Sequence, residues 1–338
     1  MPDFGDRRDH LGERRRKRPR WLADTGRARP PGGWEEGADG SRKRALPVLR
    51  PPAAVVGCIP RRGGAHSWTV AAAGRDIVLV RMGENAISRA IAERGAAVGA
   101  MLFEFDTPGI MRILAAAGAD FALFDLEHTG WDAGTLRRVL AAGRGTGVYP
   151  MARVIRAEYD LIASALDAGA QGIMAPMVES AQDAELLVAC AKYPPLGRRG
   201  FGVLMSDELA NGAGALAERS NRENVVIAQI ESPRGIENAE AIAAVPGVDL
   251  VWLGQFDLTL GMGIPGEFGH PRYRAAVERL VTACRRHQKP LGQLIGTAAD
   301  GAALREQGFD VLAYADVWVF ERSLRERVDA LRDAPAAP

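Results

Sequence analysis

Two acids stand at the ends of two apolar runs. Val225-Val-Ile-Ala-Gln229-Ile-Glu231 and Val248-Asp-Leu-Val-Trp-Leu-Gly254-Gln-Phe-Asp257 are each of strand length, and each passes abruptly into polar residues. If the runs are parallel neighbours joined by a helix over Gly235 to Ala244, Glu231 and Asp257 emerge at the same edge of the sheet. Two carboxylates, with water completing the shell, suit a hard divalent cation such as Mg²⁺ or Mn²⁺, whereas zinc would call for His or Cys. The simpler alternative is that each acid caps the helix that follows it.

The frame for such a site is a strand-then-helix alternation that begins at Ala97. Strands are expected at Ala97–Phe103, Phe121–Asp125, Val148–Val154, Gly172–Met177, Val225–Glu231, Leu250–Gly254, Pro290–Ile295 and Val311–Ala315. Helical segments such as Ile110–Ala117, Gly134–Ala142, Glu158–Ala168, Ala181–Ala191, Arg272–His287, Ala298–Gln307 and Val317–Leu331 lie between or after them. Strands apolar on both faces, alternating with helices, imply a parallel sheet covered by helices. Eight such units over some 240 residues favour a (β/α)₈ TIM barrel over an open sheet, and the Gly-rich phosphate loop of an open sheet is missing.

Catalytic groups of a barrel sit at the C-terminal ends of its strands. That rule selects Asp125, Glu127 and His128 after the second strand, and Arg153 at the end of the third. An Arg inside an apolar strand must find an anion, and a bound carboxylate or an enolate oxygen would serve. A carboxylate on one nitrogen of His128 would fix its tautomer and raise the basicity of the other. A metal that polarises a 2-oxo acid, an Arg that stabilises the enolate and a His–Asp pair that moves a proton together make an aldol machine. No Lys stands at an apolar strand end, which argues against a Schiff base. The long insertion from Tyr193 to Asn221 reads as a loop or lid over the same rim.

Five segments then resemble the HpcH/HpaI family of class II pyruvate aldolases. They are Phe124-Asp-Leu-Glu-His128, Met174-Ala-Pro-Met-Val178, Lys192-Tyr-Pro-Pro-Leu-Gly-Arg-Arg-Gly200, Ala228-Gln-Ile-Glu231 and Gly254-Gln-Phe-Asp-Leu-Thr259. The resemblance spans about Met82 to Leu331. It implies metal ligation by Glu231 and Asp257, a general acid/base at His128 supported by Asp125, enolate stabilisation by Arg153, and substrate orientation by Gln229. It implies a divalent metal cofactor (Mg²⁺, Mn²⁺ or Co²⁺) with no organic cofactor, and a homo-hexamer built as a trimer of dimers that exchange their last helices. Asp167 matches an acidic residue near the dimer contact, and the pyruvate carboxylate is expected on backbone N–H groups around Phe256 and Asp257.

Family members most often read Gly-Pro-x-Asp-Leu-Ser where this chain has Gly254-Gln-Phe-Asp-Leu-Thr259, so Gln255 and Phe256 alter the substrate-binding wall. The expected reaction is reversible cleavage of a 4-hydroxy-2-oxo acid to pyruvate and an aldehyde. Its substrate would resemble 2,4-dihydroxyhept-2-ene-1,7-dioate or a 2-keto-3-deoxy sugar acid. The first alternative is a citramalyl- or malyl-CoA-type lyase on the same barrel, for which Arg198 and Arg199 are the only basic patch near the rim.

Composition bounds the rest. A 338-residue chain that is 47% apolar has ample material for a core. Residues 1–50 hold 14 Lys/Arg against 8 Asp/Glu, leaving 29 against 34 in the remainder. The first 81 residues, rich in Arg, Pro and Gly, lack a sustained hydrophobic period and are expected to be a disordered basic leader, with natural translation starting at Met82. A nucleic-acid-binding arm is the remote alternative, and its affinity would fall steeply with salt. Cys58, Cys190 and Cys284 are too scattered for a disulfide framework, and no run has the length of a membrane span. The expectation is a cytoplasmic enzyme with small-molecule partners and neither nucleic-acid nor membrane partners.

Overall fold

The computed structural model describes residues 85–202 and 212–334. The expectations for residues 1–81, including a start at Met82, lie outside the described residues.

Eight parallel strands close into a barrel in sequence order, with the first hydrogen-bonded to the last. They are β1 (Ala97–Leu102), β2 (Phe121–Asp125), β3 (Tyr149–Arg153), β4 (Gly172–Ala175), β5 (Val225–Ile230), β6 (Leu250–Leu253), β7 (Leu291–Ile295) and β8 (Val311–Ala315). The expected strands are all present, trimmed by up to two residues at an end. Helices α1 (Ala86–Arg94), α2 (Ile110–Ala116), α3 (Ala133–Ala142), α4 (Tyr159–Asp167), α5 (Ala181–Ala191), α6 (Ala213–Glu223), α7 (Pro233–Glu237), α8 (Ala239–Ala243), α9 (Gln255–Gly261), α10 (Pro271–Arg286), α11 (Ala298–Gln307) and α12 (Asp316–Arg332) complete the described chain. Among them, none is long and apolar enough to cross a membrane.

Strand alternation separates two cores. Side chains facing the helices, such as Ala122, Phe124, Val226, Ala228, Ile230, Val251 and Leu253, pack with helix residues including Leu140, Ile162, Leu187 and Leu280. The intervening residues Phe121, Leu123, Tyr149, Met151, Val225, Ile227, Leu250 and Trp252 fill the barrel, and Ile87 and Ala90 of α1 plug its strand-start pole. Gly292 makes room for Trp252, since a Cβ there would lie 2.3 Å from the indole.

The period of two has a direct consequence for chemistry. Continuing the inward series from Phe121 and Leu123 reaches Asp125; from Tyr149 and Met151 it reaches Arg153; from Val225 and Ile227 it reaches Gln229 and then Glu231. Each inward row is apolar where the strand begins and polar where it ends.

Two expected elements differ. The single helix over Gly235 to Ala244 is broken at Asn238, whose Nδ2 donates to the Glu179 carbonyl at 2.7 Å. The described parts of the insertion after α5, residues 193–202 and 212–221, do not form a lid over the strand ends. They follow a helix C-terminus and precede a strand N-terminus, so chain direction puts them at the strand-start pole. There Lys192 Nζ donates to the carbonyls of Asn221 (2.9 Å) and Asn224 (2.5 Å) and pairs with Asp249 at 3.2 Å. Arg199 pairs with Asp167 at the end of α4 at 2.7 Å and stacks over Tyr193, 4.7 Å from its centroid. Asp167 and Arg199 therefore lie away from the strand ends, and part of the insertion is the helix α6. A cavity of about 610 Å³ at this same pole is lined by Tyr149, Asp167, Tyr193 and Arg199.

Candidate active site

Asp125 and Arg153 are register partners on β2 and β3. Their side chains consequently meet: Arg153 Nε donates to Asp125 Oδ1 at 2.8 Å and Nη2 to Oδ2 at 2.9 Å. Asp125 is wholly buried and Arg153 is 6% exposed. Burial disfavours the Arg153 charge, but Asp125 and then Glu127 more than offset this and hold its pKa above the ordinary value. The anion that Arg153 required is thus supplied chiefly by its own neighbour.

The expected pairing of Asp125 with the His128 ring does not form. Asp125 Oδ2 accepts the His128 backbone N–H at 3.2 Å, while the ring Nε2 lies 3.6 Å from Glu127 Oε2. Glu127 also reaches Arg153 Nε at 3.2 Å. The strand-end rule selects Glu127 but assigns it no role, because it lies beyond the strand, where the period of two no longer assigns direction. Burial raises its pKa, partly countered by Arg153 and His128.

Glu231 follows β5 and is 4% exposed. Its Oε1 accepts the Met177 N–H at 2.8 Å, an approach made possible by left-handed backbone at Met177 (φ 53°). Its Oε2 accepts from Gln229 Nε2. Burial raises the Glu231 pKa to about 7; these two donors lower it, and the negative charges of Asp257 and Glu127 raise it further. Gln229 Oε1 is buried with no partner among the described residues, an acceptor awaiting a donor.

Neither acid is a helix cap. Ser232 caps α7 through its side chain, and Gly254 occupies the N-cap of α9, with Asp257 in the first turn. Gly254 is there for space: a Cβ would fall 2.3 Å from Glu231 Oε2 and 3.0 Å from Gln229 Nε2. Gly254→Ala is therefore expected to displace Glu231 and cut turnover by roughly 10²-fold, the scale of an ångström-sized misplacement, without changing the melting temperature by more than a few degrees. Parallel rate and melting measurements would check this, and full activity would remove Glu231 from the site.

Gln255 is buried and donates through Nε2 to the Leu294 carbonyl at 3.2 Å. Phe256 is exposed at the rim, edge-on to Phe268 (5.4 Å) and Trp318 (5.8 Å). Among the described residues no group of three or more His, Cys, Asp or Glu side chains is disposed to hold a metal by itself. A cation at Glu231 and Asp257 would need further oxygens from water or substrate, a donor set that fits Mg²⁺ or Mn²⁺ better than zinc. Three carboxylates, Asp125, Glu127 and Glu231, act on the Arg153 guanidinium, and Asp257 acts in turn on Glu127 and Glu231, an excess of negative charge that a divalent cation would balance.

A parallel barrel with acids, an Arg and a His at its strand-end pole has the construction of a barrel enzyme. The chain belongs to the HpcH/HpaI aldolase/citrate lyase family, whose pattern matches residues 100–316. It is 34% identical over 221 residues to the 5-keto-4-deoxy-D-glucarate aldolase of Klebsiella pneumoniae subsp. pneumoniae, covering 65% of this chain and 86% of that protein. It is 36% identical over 231 residues to the hydroxypyruvate/pyruvate aldolase of Chromohalobacter salexigens, covering 66% and 89%. The crystal structure of the HpcH/HpaI aldolase from Desulfitobacterium hafniense DCB-2 superposes with a TM-score of 0.68 at 29% identity, over 75% of this chain and 99% of that one. This chain is accordingly a carbon–carbon lyase of the aldolase type.

Proposed function

We propose that the protein is a metal-dependent aldolase that reversibly cleaves a 4-hydroxy-2-oxo acid to pyruvate, or a close 2-oxo acid such as hydroxypyruvate, and an aldehyde. The observation that carries this reading is the convergence of Glu231, Gln229, Arg153 and Glu127 at neighbouring strand ends, beside Asp257 and His128. Glu231 and Asp257 would hold a divalent cation, which when bound supplies Lewis-acid polarisation of the 2-oxo group. Arg153, locked in position by Asp125, offers positive charge toward the oxygen on which enolate charge develops. Gln229 Oε1 accepts a hydrogen bond from water or a substrate hydroxyl. His128, more than half exposed at the rim, takes and returns the proton. The N-terminus of α9 has no side-chain cap, which leaves backbone N–H groups near Phe256 and Asp257 for a substrate carboxylate.

The two curated relatives act on a keto-deoxy sugar acid and on hydroxypyruvate or pyruvate by name, which supports a short 2-oxo acid as donor. The CoA-lyase alternative loses its basic patch, because Arg199 lies at the opposite pole. Oligomerisation is part of the proposal: α12 exposes Trp318, Val319, Phe320, Leu324 and Leu331, apolar side chains of which Phe320, Leu324 and Leu331 share a face that a second copy would cover. Light scattering is expected to give a mass that is a multiple of the 36.2 kDa chain; a monomer at micromolar concentration would overturn this part.

The direct test is exchange of the pyruvate methyl protons in D₂O, which needs no knowledge of the aldehyde. Exchange is expected with Mg²⁺ or Mn²⁺, to stop on adding EDTA, and to resume with excess metal. His128→Ala should slow it by about 10²-fold, the ordinary scale of a lost general base. Exchange that is indifferent to EDTA would remove the metal from the mechanism.

A further inference from the structure

Asp125 has no capacity left for a ring nitrogen. Its Oδ1 accepts Arg153 Nε at 2.8 Å and the Glu127 N–H at 3.0 Å, and its Oδ2 accepts Arg153 Nη2 at 2.9 Å and the His128 N–H at 3.2 Å. A carboxylate offers about four lone-pair directions, so this one is saturated. It is also wholly buried, whereas the His128 side chain is 61% exposed. The carboxylate beside the imidazole is that of Glu127, whose Oε2 faces His128 Nε2 at 3.6 Å and Arg153 Nε at 3.2 Å.

On the aldolase reading above, we propose that Glu127 is the positioning residue for His128, orienting the imidazole and favouring its protonated form, while Asp125 serves only to lock Arg153. The separation of 3.6 Å is that of an ion pair rather than a hydrogen bond, so the contact strengthens when the ring takes a proton. That is the moment at which a base that has accepted a substrate proton needs stabilising. Arg153 on the other side of Glu127 partly offsets the burial that raises the carboxyl's pKa. The charged groups around Glu127 are Arg153 on β3, Asp125 and His128 on its own segment, and Asp257 on α9; Glu231 after β5 is influenced by Glu127 in turn. Glu127 thus couples the group that stabilises the enolate to the group that moves the proton.

The experiment is an NMR titration of ¹³C-labelled histidine in the full chain, with the His128 signal assigned among five histidines by its absence from His128→Asn. The parent, Glu127→Gln and Asp125→Asn are compared, and the pH profile of pyruvate proton exchange is recorded for each. Glu127→Gln is expected to lower the His128 midpoint by about half to one pH unit, a carboxylate effect reduced by exposure. The acidic limb of kcat/KM, where the base becomes protonated, should move with it. Asp125→Asn should raise KM or lower kcat with a smaller change in midpoint. A Glu127→Gln midpoint equal to the parent's, or a larger shift in Asp125→Asn, would overturn the proposal. A parent that exchanges no pyruvate protons would sink the aldolase reading alone, since the titration still decides whether Glu127 acts on His128.

Discussion

Glu231→Gln is expected to abolish metal-dependent proton exchange, by ~10³-fold or more, and at the same time to stabilise the metal-free protein at alkaline pH. The first effect follows from removing one of the two charges that would hold the cation. The second follows from burial, which raises the Glu231 pKa to about 7. An acid that holds its proton more tightly when folded contributes stability that is complete below its unfolded pKa, near 4.5. That contribution is lost as pH rises through the folded value. Over that window the loss amounts to about 3 kcal/mol. Glutamine has nothing to ionise, so in EDTA the variant should melt above the parent at pH 8 and level with it near pH 4. Added metal should reverse the order by stabilising only the parent. Equal melting curves at pH 8 without metal would show that Glu231 is better solvated than its 4% exposure suggests.

The second large effect is expected at Arg153. Arg153→Met leaves Asp125 charged, fully buried and without its cation, a change that typically costs about 3–5 kcal/mol. At a few degrees per kcal/mol, the melting temperature should fall by about 10 °C. Arg153→Lys should recover part of the stability but little of the activity, because an ammonium cannot donate the parallel pair of bonds at 2.8 and 2.9 Å. Asp125→Asn combined with Arg153→Met should restore much of the lost stability, since neither charge is then stranded. Thermal melts of the three variants check the ledger. An Arg153→Lys protein as active as the parent would reduce Arg153 to a structural role.

Much of this arrangement is visible in the residues alone, for stated reasons. Strands buried on both faces, such as Phe121–Asp125 and Val225–Ile230, announce themselves as unbroken apolar runs. Their last inward residues then mark the site. What pairs with what is another matter. Asp125 meets Arg153 because two strands are aligned in a particular register, and register is a property of the sheet rather than of either segment. The helix α6 is hard to read from sequence because none of its residues is buried and it begins after Gly212 with no side-chain cap. The break at Asn238 depends on a bond to Glu179, 59 positions away. The pole occupied by the described parts of the insertion after α5, by contrast, follows from chain direction in any parallel barrel.

Those poles also bear on how the enzyme could be used. The described chain enters the barrel at Asn85, the N-cap of the plug helix α1, at the end away from Glu231 and Arg153. A tether to a bead, electrode or carrier protein attached there would hold the barrel by its closed base. The strand-end mouth that carries the proposed site would then face the bulk liquid, and immobilised and free preparations should share the same dependence on substrate concentration.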